Sequence, residues 1–210
     1  MWVDALGTDA EPTLSSAMAA ASVVVLGPGL GRGAWAQQVI GALASYDGPL
    51  VIDADGLYWL ADTAQARTLK NRGAPLFLTP HAGEAARLLE CSTGEILSNP
   101  RQAVIDMTER FNATCLLKGP GTIIGTRMGQ AICAHGNPGM ASAGMGDVLA
   151  GLVGSLIAQQ PSSPDMAFTA GVLLHSAAAD QAAEKIGMRG LTASTIIAHI
   201  TALLREERSV

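Results

Sequence analysis

The chain has 210 residues and 49% hydrophobic content, enough for one domain with a sizeable core. Charged residues make up 15% and the net charge is −5, with no basic stripe, so the composition argues against nucleic acid as a partner. No run of about 18 uninterrupted apolar residues offers a membrane span, and the start MWVD lacks the basic and apolar regions of a signal peptide.

Residues 1–12 are polar and carry Gly7 and Pro12, as in a loose lead-in. A short helix is predicted over 13–21. Residues 22–26 (SVVVL) form a β-branched run that ends in GPGLG, a common place for a ligand loop in an α/β sheet. Residues 34–46 have helical spacing, with Trp35, Val39, Ile40 and Leu43 on one broad face. PLVID (49–53) is a second buried strand, stopping at DADGL, and PLFLT (75–79) is a third, stopping at PHAGE. Helices follow over 82–89, 93–97 and 101–111. A strand over 115–118 closes on KGPGT. Residues 122–126 and 130–134 read as paired strands joined by a turn at 127–129. Helices are predicted over 146–159, 164–186 and 192–205, and the segment 161–164, with a proline at each end, separates the first two. With only 4% aromatics and 24 glycines, such a chain suits helices packed closely on a parallel sheet. Cys91, Cys115 and Cys133 have no metal-like spacing; the latter two read as core thiols of a cytoplasmic protein.

The stretch HGNPGMASAGMGDVLAG (135–151) holds the strongest chemical signal. A glycine-rich loop leads to Asp147 and then directly into an apolar helix. Glycines leave backbone N–H groups uncovered, and a helix N-terminus adds further unpaired donors and partial positive charge, which makes an anion site. Asp147 is either a base held against that anion or an N-cap. Four more loops, GPGLG, DADGL, TPHAGE and KGPGT, follow strands and share the side of the sheet where ligands bind. Lys118 reads either as a phosphate contact, with Gly119, Gly121 and Thr122 around it, or as a solvated lysine before a hairpin. His81 reads as a substrate contact. Glu84 reads as a carboxylate that holds a magnesium-bound water or as a first-turn residue favouring the helix dipole. Asp53 and Asp55 follow a strand in DADGL and are not read as a carboxylate pair; one orients the site and the other caps the next turn. His175 reads as a core or interface histidine, and His199 as a surface one. No GxxxxGK[ST], dinucleotide GxGxxG fingerprint, GxSxG or zinc pattern occurs.

Taken together, GPGLG, DADGL, TPHAGEAARLL, LLKGPGT and GNPGMASAGMGDVLAG resemble the ADP-dependent (S)-NAD(P)H-hydrate dehydratase family, from about residue 22 to residue 205. The resemblance implies an α/β, ribokinase-like fold: a mainly parallel sheet flanked by helices on both faces, with the site at the strands' carboxyl ends. It implies dehydration of (S)-NADHX or NADPHX to NADH or NADPH at the expense of ADP or ATP, with Mg2+. Gly31, His81 and Asp147 then fall at substrate contacts, and Asp147 is also the catalytic residue. Lys118, Gly119, Pro120, Gly121, Thr122 and Gly146 fall on the nucleotide, and Glu84 would hold the metal through water. A homo-oligomer, such as a tetramer, is implied as well.

This chain has Ala143 and Ala82 where many relatives carry Gly and Pro, and Ala143 raises the question of a positive φ. Relatives begin several dozen residues earlier, with a KGxxG segment and the first strand. The expectation is therefore a single domain over 1–210 that is incomplete at its N-terminus and lacks an epimerase half. The alternatives are a small-molecule kinase of the same fold and a nucleotide-binding module without turnover.

Overall fold

The computed structural model describes residues 10–61, Ala64, Leu69 and residues 73–206. Residues 1–9 of the expected lead-in lie outside them, and residues 10–12 are helical. Helix α1 spans Ala10–Ala20, three residues earlier than the sequence predicts. Pro12 falls in its first turn, where a missing N–H costs no helical bond. Strand β1 (Val24–Leu26) is followed by α2 (Ala34–Ala42), whose expected last turn is a separate 3-10 turn, Leu43–Ser45. Strand β2 (Leu50–Ile52) leads into α3 (Ala54–Leu60), a helix the sequence did not announce. It is short and carries Gly56 inside, so neither length nor propensity marks it.

After β3 (Leu76–Leu78) come α4 (Ala82–Leu89), α5 (Thr93–Ser98) and α6 (Pro100–Phe111). Capping boxes start two of these: His81 with Glu84 for α4, and Ser92 with Glu95 for α5. Strand β4 (Thr114–Leu117) precedes the hairpin of β5 (Ile123–Thr126) and β6 (Gly129–Ile132). Cys133 lies just past β6, and its N–H donates to the Thr122 carbonyl at 2.9 Å. The chain ends in α7 (Met145–Gln159), α8 (Pro164–Ile186) and α9 (Ala193–Glu206). Cys115 is fully buried, and burial pushes its thiol up to about 12.

The six strands lie in the order β1-β2-β3-β4-β5-β6. The first four are parallel and the last two antiparallel, so the sheet is mainly parallel as expected. Strand side chains alternate between two cores. Leu50, Ile52, Leu76, Leu78, Cys115 and Leu117 join residues of α2, α3, α4 and α6 on one face. Val51, Phe77, Leu116 and Ile124 meet Leu149, Val153 and Ile157 of α7 and Phe168 of α8 on the other. Phe77 and Phe168 stack there with ring centroids 5.3 Å apart. Strands β2, β3 and β4 are therefore buried on both faces, which is why they read as continuous apolar runs.

Candidate active site

The four parallel strands deliver their carboxyl ends side by side, and the pairing continues one step past them. The Asp53 N–H donates to the Leu26 carbonyl at 3.0 Å, and the Thr79 N–H to the Ile52 carbonyl at 3.2 Å. The Lys118 N–H donates to the Pro80 carbonyl at 2.8 Å, and His81 and Lys118 form an isolated parallel bridge. Gly27, Asp53, His81 and Lys118 thus stand along one edge. At Gly27, with φ +130°, an added Cβ would come 1.7 Å from the Asp53 carbonyl oxygen. Only glycine lets β1 end against the start of α3 in this way.

Asp53 is 1% exposed. It stands at the N-cap position of α3 but makes no side-chain cap; Lys118 Nζ instead lies 2.6 Å from its Oδ1. The reading of Lys118 as a solvated lysine does not hold, for its side chain is only 25% exposed and pairs with a buried carboxylate. Gly146 of α7 packs against the same pair: a Cβ there would lie 3.2 Å from Lys118 Nζ and 3.4 Å from Asp53 Oδ2. The Lys118 charge also reaches His175 of α8. That histidine is 3% exposed, and its Nε2 is without a partner. Burial first, and then the Lys118 charge, push its pKa down to about 4 against a hydrogen bond with the Met145 backbone that raises it.

The loop before α7 is held at several points. The Gly136 N–H and the Asn137 Nδ2 each donate to the Asp180 carboxylate of α8 at 2.9 Å, and His135 Nδ1 lies 3.5 Å from it. Burial pushes the Asp180 carboxyl up, but these donors outweigh it and hold the group below its usual range. Asn137 Oδ1 accepts from the Gly139 N–H at 3.0 Å, and Ser142 Oγ donates to the Leu191 carbonyl at 3.4 Å. Gly144, at φ +83°, is the N-cap of α7, so the cap reading of Asp147 does not hold. Ala143 is not among the residues with positive φ, so the alanine costs no backbone strain. Asp147 sits in the first turn with an exposed side chain that bonds no described residue. The N–H groups of Gly146 and Asp147 likewise bond no described residue, which leaves an open helix N-terminus beside Lys118.

Gly31, at φ +73°, is clamped from α3: its N–H donates to Asp55 Oδ2 at 3.0 Å, and its carbonyl accepts from Trp59 Nε1 at 3.1 Å. Asp53 and Asp55 therefore serve different loops, because the strand stops at Ile52 and the chain turns into α3 between them; neither side chain caps that helix. His81 Nδ1 accepts from the Gly83 and Glu84 N–H groups at 3.0 and 3.2 Å. Glu84 Oε2 accepts from the His81 N–H at 2.8 Å, and its Oε1 lies 3.3 Å from His81 Nε2. Both Glu84 oxygens are thus engaged, in keeping with its first-turn reading. Among the described residues no group of three or more His, Cys, Asp or Glu is placed to hold a metal ion. These side chains alone do not make a magnesium site, although magnesium is commonly bound through one or two carboxylates and substrate phosphates.

Gly119, Pro120 and Gly121 form an exposed turn after β4, and Thr122 Oγ1 donates back to the Gly119 carbonyl at 3.4 Å. The fold therefore brings Asp147, Gly146, Lys118 and His81 to one edge, with the Gly31 loop joined to it through α3. Sequence reasoning missed Asp180 and understated Asp53 and His175. Only the apolar setting of His175 within its helix gave a signal, and it pointed to burial without saying against what. His199 Nδ1 lies 2.9 Å from the Thr195 carbonyl, and the residue is half-buried. No helix among the described residues is long and apolar enough to cross a membrane.

Comparisons with known proteins bear on the fold and the family of the chain. A bifunctional NAD(P)H-hydrate repair enzyme from Coxiella burnetii is 42% identical over 201 residues, which are 95% of this chain and 39% of that protein. The chain thus spans about two-fifths of the length of the curated relatives it matches. A ribokinase-like superfamily protein from Enterococcus faecalis superposes with a TM-score of 0.79 at 25% identity, covering 96% of this chain and 69% of that one. An ADP/ATP-dependent NAD(P)H-hydrate dehydratase from Bacillus subtilis, co-crystallised with ATP and Mg2+, shares the fold with a TM-score of 0.77 at 23% identity, over 92% and 69% of the two chains. The family model described as NAD(P)H-hydrate dehydratase matches residues 2–202, and the chain belongs to that family.

Proposed function

We propose that this chain carries out the dehydration of (S)-NADHX or NADPHX to NADH or NADPH, with ADP or ATP as co-substrate. The observation that carries the reading is the open N-terminus of α7, with an exposed Asp147 one residue from the Gly146–Lys118–Asp53 contact. The nucleotide's phosphates would lie on that N-terminus, within reach of the Lys118 ammonium and the turn Gly119, Pro120, Gly121 and Thr122. Gly31 and His81 would contact the hydrated ring.

Asp147 acts as the base. It takes the proton of the ring hydroxyl as that oxygen attacks the terminal phosphorus of the nucleotide, whose bridging oxygen leaves with the nucleoside phosphate. The N–H groups of Gly146 and Asp147 stabilise the charge on the transferring group. The phosphorylated hydroxyl then departs as phosphate, the neighbouring ring carbon gives its proton to an oxygen of that phosphate, and the electron pair of the broken C–H bond restores the double bond. Mg2+, when bound with the nucleotide, would supply charge neutralisation at its phosphates. Glu84 contributes here by fixing His81, since both its oxygens are turned to that residue.

Hydrated NADH incubated with ADP or ATP and Mg2+ is expected to regain absorbance at 340 nm. Asp147→Asn is expected to slow that return by about a hundredfold or more. A phosphorylated hydrate that accumulates without NADH indicates the kinase alternative, and nucleotide binding without either product indicates a non-catalytic module. Self-association is part of the same proposal. Exposed Leu173, Ile197 and Leu204 on α8 and α9 support it, and light scattering behind a sizing column measures it.

A further inference from the structure

Two arginines outside the residues assigned above converge on one aromatic ring. The Arg32 guanidinium carbon lies 4.0 Å from the centre of the Tyr58 ring, and that of Arg87 lies 5.3 Å from it. The three residues come from three places: the loop after β1, helix α3 and helix α4. Arg32 directly follows Gly31, and Arg87 lies on the helix whose N-cap is His81. Each proposed contact to the hydrated ring therefore has a guanidinium close behind it in the chain.

The charges do not cancel. Arg32 spends only its Nε on Asp55 Oδ1, at 3.4 Å, and the other oxygen of Asp55 is taken by the Gly31 N–H. Arg87 makes no ion pair with a described residue, and it is exposed. The two guanidinium groups on this ring thus have a single ion-pair contact with the described residues, that of Arg32 with Asp55, in a chain whose net charge is −5. Stacking on an aromatic face fixes a guanidinium's plane and leaves its edge N–H donors outward. Fixed planar donors of this kind match a phosphate group two bonds at a time.

We propose that Arg32, Tyr58 and Arg87 form a subsite for a phosphate group of the dinucleotide substrate. The proposal rests on the dehydratase reading, because it is NAD(P)HX that carries such groups away from the reacting ring. The shared chemistry has two sources, the ribose 2′-phosphate of the NADP series and the pyrophosphate common to both series.

Calorimetric titrations with NADP+, NAD+ and ADP, together with KM values for NADPHX and NADHX, separate them. Arg87→Gln and Arg32→Gln are compared with the unaltered chain, with thermal unfolding as the control for folding. Each variant is expected to weaken NADP+ binding and raise the NADPHX KM about tenfold, with ADP affinity unchanged. Loss confined to the NADP series assigns the 2′-phosphate; equal loss in both series assigns the pyrophosphate. Unchanged affinity for both dinucleotides, no dinucleotide binding by the unaltered chain, or a parallel loss for ADP overturns the subsite. If the unaltered chain shows no turnover, the functional reading fails on its own while the NADP+ and NAD+ titrations still decide the subsite.

Discussion

Asp53 and Asp55 stand two residues apart and live in opposite surroundings. Asp53 is sealed against Lys118 and Gly146. Asp55 is 29% exposed in its side chain and ties the Gly31 loop and Arg32 to α3. Ala54 between them adopts φ +47°, a left-handed turn that sends the two carboxylates to separate loops. The difference is one of dielectric. A buried charge carries a large desolvation cost that its partner offsets, whereas an exposed pair exchanges protein contacts for water at little net gain.

The largest test of this contrast is Lys118→Met. It leaves Asp53 buried and unpaired, and urea unfolding is expected to show a loss of about 3–5 kcal/mol. Replacing Asp53 by Leu in the same chain should recover much of that loss, because no charge then remains to be desolvated. If Lys118→Met alone were neutral, the pair would not be the closed unit described above.

Acid offers the next largest effect. His175 titrates at about 4 in the folded chain against an ordinary 6.5, so between those values the unfolded chain binds the extra proton. Stability is therefore full above about pH 6.5 and falls as pH drops toward 4, by about 3 kcal/mol over that window. Asp180 adds a loss of the same sign at lower pH, since its folded carboxyl is held below the usual range. A His175→Asn variant, followed by thermal unfolding from pH 7 to pH 4, should lose most of the dependence in the upper part of the window.

On the exposed side the numbers shrink. Asp55→Ala frees Gly31 and Arg32, but unfolding by urea should register only about 1 kcal/mol. A loss as large as that for Lys118→Met would erase the distinction between the two regions. Ala54→Gly is expected to act least, raising stability by about 1 kcal/mol or less as the left-handed strain is relieved. If it destabilised the chain, the turn between the aspartates would be shown to need its methyl group.

Local chemistry made much of the architecture legible. Continuous apolar runs announced β2 and β3, since strands covered on both faces have no polar side to show. Helices α4 and α8 fell where the pattern placed them, at Ala82–Leu89 and Pro164–Ile186. The errors have local causes. Helix α3 hid because seven residues with an internal glycine carry little periodicity, and the predicted strand ends ran long because pairing stops where a loop must turn. In the site, GMGD could be read as a loop entering a helix, but Gly144 and not Asp147 turned out to occupy its N-cap.

The sequence by itself determined the order of the six strands and of the described helices other than α3, the glycine-bearing loops after the strands and the family to which they belong, because each is written in contiguous residues. Only the tertiary structure decided which charges meet. Lys118 and Asp53 are 65 positions apart, Asp180 and Gly136 are 44 apart, and His175 feels the Lys118 charge from a helix packed against α7. Periodicity reports which side of an element faces the core and is silent about what faces it there. Burial then decides whether a charge found at that place costs free energy, holds a loop or stays open to a ligand.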